Sequence, residues 1–101
     1  MADEAAYRQW RESARAVKAI TADNSLELWE KVHQVNRAYA GLALDGLQSK
    51  HRHKVLAAFG NVNKVFAKYT LDSFDDYEKI SADDLREIIR TVNALVPPRA
   101  K

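Results

Sequence analysis

Two short stretches of this chain carry residue types that do chemistry. Lys50-His51-Arg52-His53-Lys54 sets five basic or titratable side chains in consecutive positions. Such a cluster grips phosphates or an acidic protein surface, and histidine makes the grip sensitive to pH. It is a poor metal site, because residues two apart on a helix diverge and no acidic residue or cysteine stands between Gly46 and Leu71. Glu30-Lys31-Val32-His33 has the Glu-x-x-His spacing of di-iron bundles, in which carboxylates from other helices complete the centre. The stretch 53–69 supplies no carboxylate and the first helical stretch only Glu4 and Glu12, so the match reads as coincidence. Neither a metal nor a cofactor is expected.

Nucleophilic chemistry fares no better. Ser13, Ser25, Ser49, Ser73 and Ser81 have no motif around them, and His33 has no identifiable nucleophile or orienting acid. No phosphate-binding loop, dinucleotide fingerprint or nucleophile elbow is present. The acidic run Asp72–Glu87 lacks the glycine and the spacing of a calcium-binding loop. The expectation is a protein with no catalytic residue.

Charge is segregated along the chain. From Gly46 to Leu71 there is no acidic residue, while Lys50, Arg52, Lys54, Lys64 and Lys68 fall within it. Asp72 to Glu87 reverses the sign, with seven carboxylates against Lys79 and Arg86. A basic face of this kind suits an acidic protein partner or nucleic acid. The neighbouring acidic run also allows one copy to meet another, as a homo-oligomer.

The elements that position these groups are helical. Tyr7, Trp10, Ala14 and Val17 form one stripe of a helix over about 3–20, with Arg8, Arg11, Arg15 and Lys18 along its flank. Glu4 and Glu12 interleave with that flank and would repel a phosphate surface, so Tyr7 and Trp10 read as core. Asn24, with Glu27 three residues on, resembles a capping box opening a second helix over about 25–47. Leu28, Val32, Val35, Tyr39 and Leu42 make its main stripe, and Leu26, Trp29, Ala40, Ala43, Leu44 and Leu47 adjoin it. That arc covers roughly half the circumference, wider than a surface helix needs. The second helix is therefore expected at the centre of the fold or against another subunit, with Trp29, His33, Asn36 and Leu47 as interface candidates.

A straight continuation past Gln48 would put Phe59, Val62 and Phe66 about 140° from the face of Val35 and Tyr39, so a turn is expected near Gln48–Arg52. The third helix, about 53–69, sets Val55, Phe59, Val62, Phe66 and Tyr69 on one side and Lys54, Asn61, Lys64 and Lys68 on the other. Ser73 opens a short helical turn. Ser81, with Asp84 in the first turn, caps a fourth helix over about 82–96, stopped by Pro97-Pro98.

Composition agrees. The chain has 101 residues, 47% hydrophobic and 30% charged, with three glycines, two prolines and a net charge of +2. Those values fit one globular, helix-rich domain over 1–101 and argue against disorder. No cysteine is present and no run of about 18 apolar residues occurs, so neither a disulfide nor a transmembrane span is expected, and the cytoplasm is the expected compartment. The reading is an all-α, four-helix antiparallel bundle that acts as a non-catalytic interaction module. Its basic contacts would be Lys50, Arg52, Lys54, Lys64 and Lys68. The partner would be an acidic protein surface or, as the alternative, nucleic acid held by the same face.

Overall fold

In the computed structural model, residues 3–99 are described; positions 1–2 and 100–101 of the expected domain lie outside them. The chain forms α1 (Glu4–Ala22), α2 (Leu28–Ala38), α3 (Ser49–Phe66) and α4 (Ala82–Asn93). Short 3₁₀ turns, Leu44–Gly46 and Phe74–Lys79, lie in the connections before and after α3. No strand occurs among the described residues, and the fold is an all-α helical bundle.

Helix α1 starts where Asp3 places a carboxylate oxygen 2.9 Å from the backbone N–H of Ala5, a standard way to satisfy a first-turn donor. Its inward stripe holds Ala6, Trp10, Ser13 and Val17, all buried. Ser13 donates to the carbonyl of Ala38 at 2.8 Å, tying α1 to the end of α2. Helix α4 is capped as its sequence suggests, the N–H of Asp84 donating to Ser81 Oγ at 3.2 Å. Leu85, Ile88 and Val92 form its buried face.

Helices α2 and α4 share the centre: α2 packs against α1, α4 and the 3₁₀ turn Phe74–Lys79, and α4 packs against α1, α2 and α3, with α3 approaching α4 most closely. Aromatic side chains bridge the wider gaps around α3, with Phe59 against Tyr39 and His51 against Tyr7 and Trp10. Trp10, Val32, Val35, Val55 and Ile88 are the largest side chains fully withdrawn from water. At roughly 1.5–3 kcal/mol each, residues of this kind supply the main drive for the bundle.

Several boundaries differ from the sequence expectation: α3 ends at Phe66 rather than 69 and α4 at Asn93 rather than 96, and three other differences are larger or change a cap. Helix α2 stops at Ala38 instead of 47, because Gly41 takes φ +81°, a left-handed conformation that ends a helix and that side-chained residues avoid. Its start is set at Glu27, not Asn24: the N–H of Glu27 donates to Glu30 Oε1 at 3.1 Å. Helix α3 begins at Ser49, so the expected turn at Gln48–Arg52 is helical from Ser49 onward and the true connection runs 39–48.

That connection is apolar yet ordered, because α1 supplies its hydrogen bonds. Gln9 Nε2 donates to the carbonyl of Gly41 at 3.0 Å, and the N–H of Ala43 donates to Gln9 Oε1 at 2.8 Å. The N–H of Gln48 donates to the Tyr7 hydroxyl at 2.9 Å. Gly46 lies directly under the start of α1, its carbonyl accepting from the N–H of Asp3 at 2.7 Å. A Cβ at position 46 would come within 2.5 Å of the Ala6 Cβ and 2.9 Å of the Asp3 Cβ, so only glycine fits.

Candidate functional site

The basic cluster at 50–54 is divided by the helix that carries it. At about 100° per residue, Lys50 and Lys54 share an edge of α3 with Ala57, Asn61 and Lys64, while Arg52 projects on the far side. Lys50, Lys54 and Lys64 are exposed. None of these three has an ion-pair partner among the described residues. From Lys50 to Lys64 the row extends roughly 21 Å at 1.5 Å per residue.

Two of the predicted basic residues do not belong to the open row. Arg52 is half-buried and its guanidinium donates to Ser49 Oγ at 3.3 Å. Lys68 follows the end of α3, and its ammonium lies 3.3 Å from the carboxylate of Asp84 on α4. The same carboxylate accepts a 2.6 Å bond from the Tyr69 hydroxyl. That bond first, and the Lys68 ammonium after it, hold the Asp84 carboxyl below the usual range against the opposing effect of partial desolvation. His51 also leaves the cluster, its ring packed edge-on against Tyr7 at 5.8 Å and Trp10 at 5.9 Å.

The apolar interface candidates on α2 meet a different fate. The 3₁₀ turn Phe74–Lys79 folds back over them, with Phe74 5.0 Å from Trp29 and 4.5 Å from His33 between ring centroids. Tyr77 lies 4.9 Å from His33, and Asn36 Nδ2 reaches its hydroxyl at 3.5 Å. Trp29 Nε1 donates to Glu27 Oε2 at 2.8 Å. Leu47 is buried at 3% exposure and is a core residue rather than a docking one. The side of α2 that carries Trp29 and His33 is thus covered by the chain's own connection between α3 and α4, and the rest of the arc packs against α1 and α4.

Desolvation under that cover, and then the Arg37 charge, hold the His33 pKa below its usual 6.5. Glu30, the other member of the Glu-x-x-His pair, is engaged in the cap at Glu27. Among the described residues, no cluster of His, Cys, Asp or Glu has the makings of a metal site.

The acidic run is consumed largely by local contacts. Asp76 accepts from the backbone N–H groups of Asp72 at 2.8 Å and Ser73 at 3.0 Å, and pairs with Lys79 at 3.0 Å. The Lys79 hydrogen bond, then those from Ser73 and Asp72, draw its pKa down from 3.8 to about 2. Asp83 pairs with Arg86 and Glu87 with Arg90 on the exposed side of α4.

One concavity was not foreseen. A groove of about 480 Å³ runs between α1 and the end of α4, walled by Arg11, Arg15 and Lys18 on one side and by Val92, Leu95 and Val96 on the other. Tyr39 lines it too, and its buried hydroxyl has no hydrogen-bond partner among the described residues. The basic flank of α1 was visible as a sequence pattern. That the end of α4 lies beside it was not, since nothing local encodes that contact.

No family model matches the chain, and neither a curated protein nor a solved structure gives a match.

Proposed function

We propose that this chain is a non-catalytic helical interaction protein that docks on an acidic protein surface through the lysine row of α3. The observation that carries the reading is the open row itself: Lys50, Lys54 and Lys64 on one edge of a helix without a carboxylate, each unpaired among the described residues. Cations left without internal partners mainly raise encounter rate and select the partner's sign, with affinity supplied by the apolar contacts around them. Leu56, 45% exposed on the same helix, is available for such a contact.

A protein surface suits the row better than a phosphate backbone does. Lys68 is already neutralised by Asp84, and Asp83 and Glu87 lie within one turn of that residue. The free cations therefore end at Lys64, a span that suits a bounded acidic patch better than a continuous run of phosphates.

The test is affinity capture with the native chain and with a K50E/K54E/K64E variant, with and without nuclease. The expected result is a defined protein partner recovered by the native chain, resistant to nuclease and lost with the variant. These exposed positions should change folding stability by less than about 0.5 kcal/mol each, so the variant should unfold at nearly the native temperature. Recovery unaffected by the three reversals would overturn the reading. A complex destroyed by nuclease, with affinity falling steeply as salt rises, would assign the row to nucleic acid instead. A concentration-dependent mass in light scattering, abolished by the variant, would make the partner a second copy.

A further inference from the structure

The groove between α1 and α4 combines features that the lysine row lacks. Its walls include no carboxylate, and Arg11, Arg15 and Lys18 all lie along the α1 side. Arg11 comes no nearer than 4.0 Å to Glu4, whose side chain is itself 82% exposed, so its charge is barely compensated. The opposite wall is aliphatic, and it ends on Val96, which at 67% is the most exposed of the large hydrophobic side chains.

A third feature lies on the Tyr39 side. Tyr39 is 6% exposed, and its hydroxyl is buried without a hydrogen-bond partner. The Trp10 indole N–H faces it, just outside hydrogen-bond geometry. Burial pushes the phenol pKa up, so the hydroxyl keeps its proton and remains a donor.

Volume narrows the occupant. About 480 Å³ lies within the usual range for small-molecule sites. Cations on one side and an aliphatic strip on the other match a molecule with an anionic head and an apolar tail. Arginine favours a planar carboxylate, which it can hold through two parallel N–H bonds.

We propose that this groove binds a single-chain fatty acid, with the carboxylate among Arg11, Arg15 and Lys18 and the alkyl chain along Val92, Leu95 and Val96. The site is separate from the lysine row and does not depend on what that row binds.

The test is calorimetry with dodecanoate below its micellar concentration, run beside dodecanol and beside vesicles rich in anionic phospholipid. Saturable binding of one dodecanoate per chain is expected, with dodecanol at least tenfold weaker for want of the charge. An R15E/K18E variant should lose at least tenfold in dodecanoate affinity, and a V96D variant should lose a similar factor from the tail side. Both variants alter exposed side chains, so the native unfolding temperature should be kept and any loss belongs to the groove. The proposal is overturned if dodecanoate fails to saturate, if dodecanol binds equally well, or if both variants retain native affinity. Binding to the vesicles without binding to monomeric dodecanoate would also overturn it, since the cations would then serve a bilayer surface.

Discussion

The aromatic face of α2 and the lysine row of α3 offer two kinds of unsatisfied surface, and the chain treats them in opposite ways. Over Trp29 and His33 it lays its own 3₁₀ turn, with Phe74 and Tyr77 as the covering side chains, while Asn36 at the edge stays exposed. Over Lys50, Lys54 and Lys64 it lays nothing, although a strongly acidic segment follows α3 directly. The carboxylates of that segment turn instead to caps and local pairs, as at Asp76, Asp83 and Glu87. Exposed apolar area costs free energy in proportion to its extent, whereas an exposed lysine is well hydrated and gains little from a surface ion pair. Intramolecular cover therefore goes where the gain is largest, and the uncovered charges remain for other molecules.

This contrast can be broken at its covered side first. Leu47 belonged to the α2 arc in the sequence pattern and is core in the structure, so Leu47→Ala should lower unfolding free energy by about 2–5 kcal/mol. Chemical denaturation gives the number directly. A loss of less than about 0.5 kcal/mol would return Leu47 to the surface and reopen the arc as a docking face.

Phe74→Ala removes part of the cover itself. Full burial would make such a change worth about 3–5 kcal/mol, and with Phe74 at 44% exposure roughly half of that is expected. Because Trp29 packs against Phe74 at a tilt of 56°, the indole should become more solvent-exposed and its fluorescence shift to the red. Trp10, fully buried on α1, provides the unmoved background. An unshifted spectrum would mean that the turn does not hold the face closed.

A smaller effect sharpens the comparison through pH. The folded state protonates His33 less readily than the unfolded chain does, since its pKa lies below 6.5. Its contribution to stability is therefore complete above about pH 6.5 and is lost as pH falls from there toward the folded value. His33→Phe keeps an aromatic ring beside Phe74 and Tyr77 and removes the titration. Thermal melts of this variant should show a flatter pH dependence just below pH 6.5 than the native chain. Identical slopes would show that the turn leaves His33 fully hydrated.

Helices α1 and α4 were legible because periodicity and caps agree in them. The stripe Tyr7, Trp10, Ala14, Val17 and the cap at Ser81 each specify one register. Helix α2 was read too long because Leu42, Leu44 and Leu47 continue an apolar recurrence through a connection that is not helical. Gly41 was the available signal, a glycine shortly after the last helical turn. The beginning of α3 gave no comparable sign, since Gln48 makes no side-chain cap.

The candidate sites were legible only in part. Periodicity put Lys54 and Lys64 in one row, because a helix converts spacing into direction; Lys50, expected in the turn, joins them because α3 begins at Ser49. Periodicity did not show that Asp84 neutralises Lys68, that Phe74 covers His33, or that Val96 lies across from Lys18. Those are contacts between segments far apart in sequence, governed by how α4 nests among the other helices.

Gly46 has a consequence for anyone wishing to divide or permute this chain. The beginning of α1 rests on the bare backbone at that position, which has space for a hydrogen atom and nothing larger. A scission meant to separate α1 and α2 from the remainder must fall beyond Leu47. Placed any earlier, it would strip the first helix of the ledge on which its opening turn is seated.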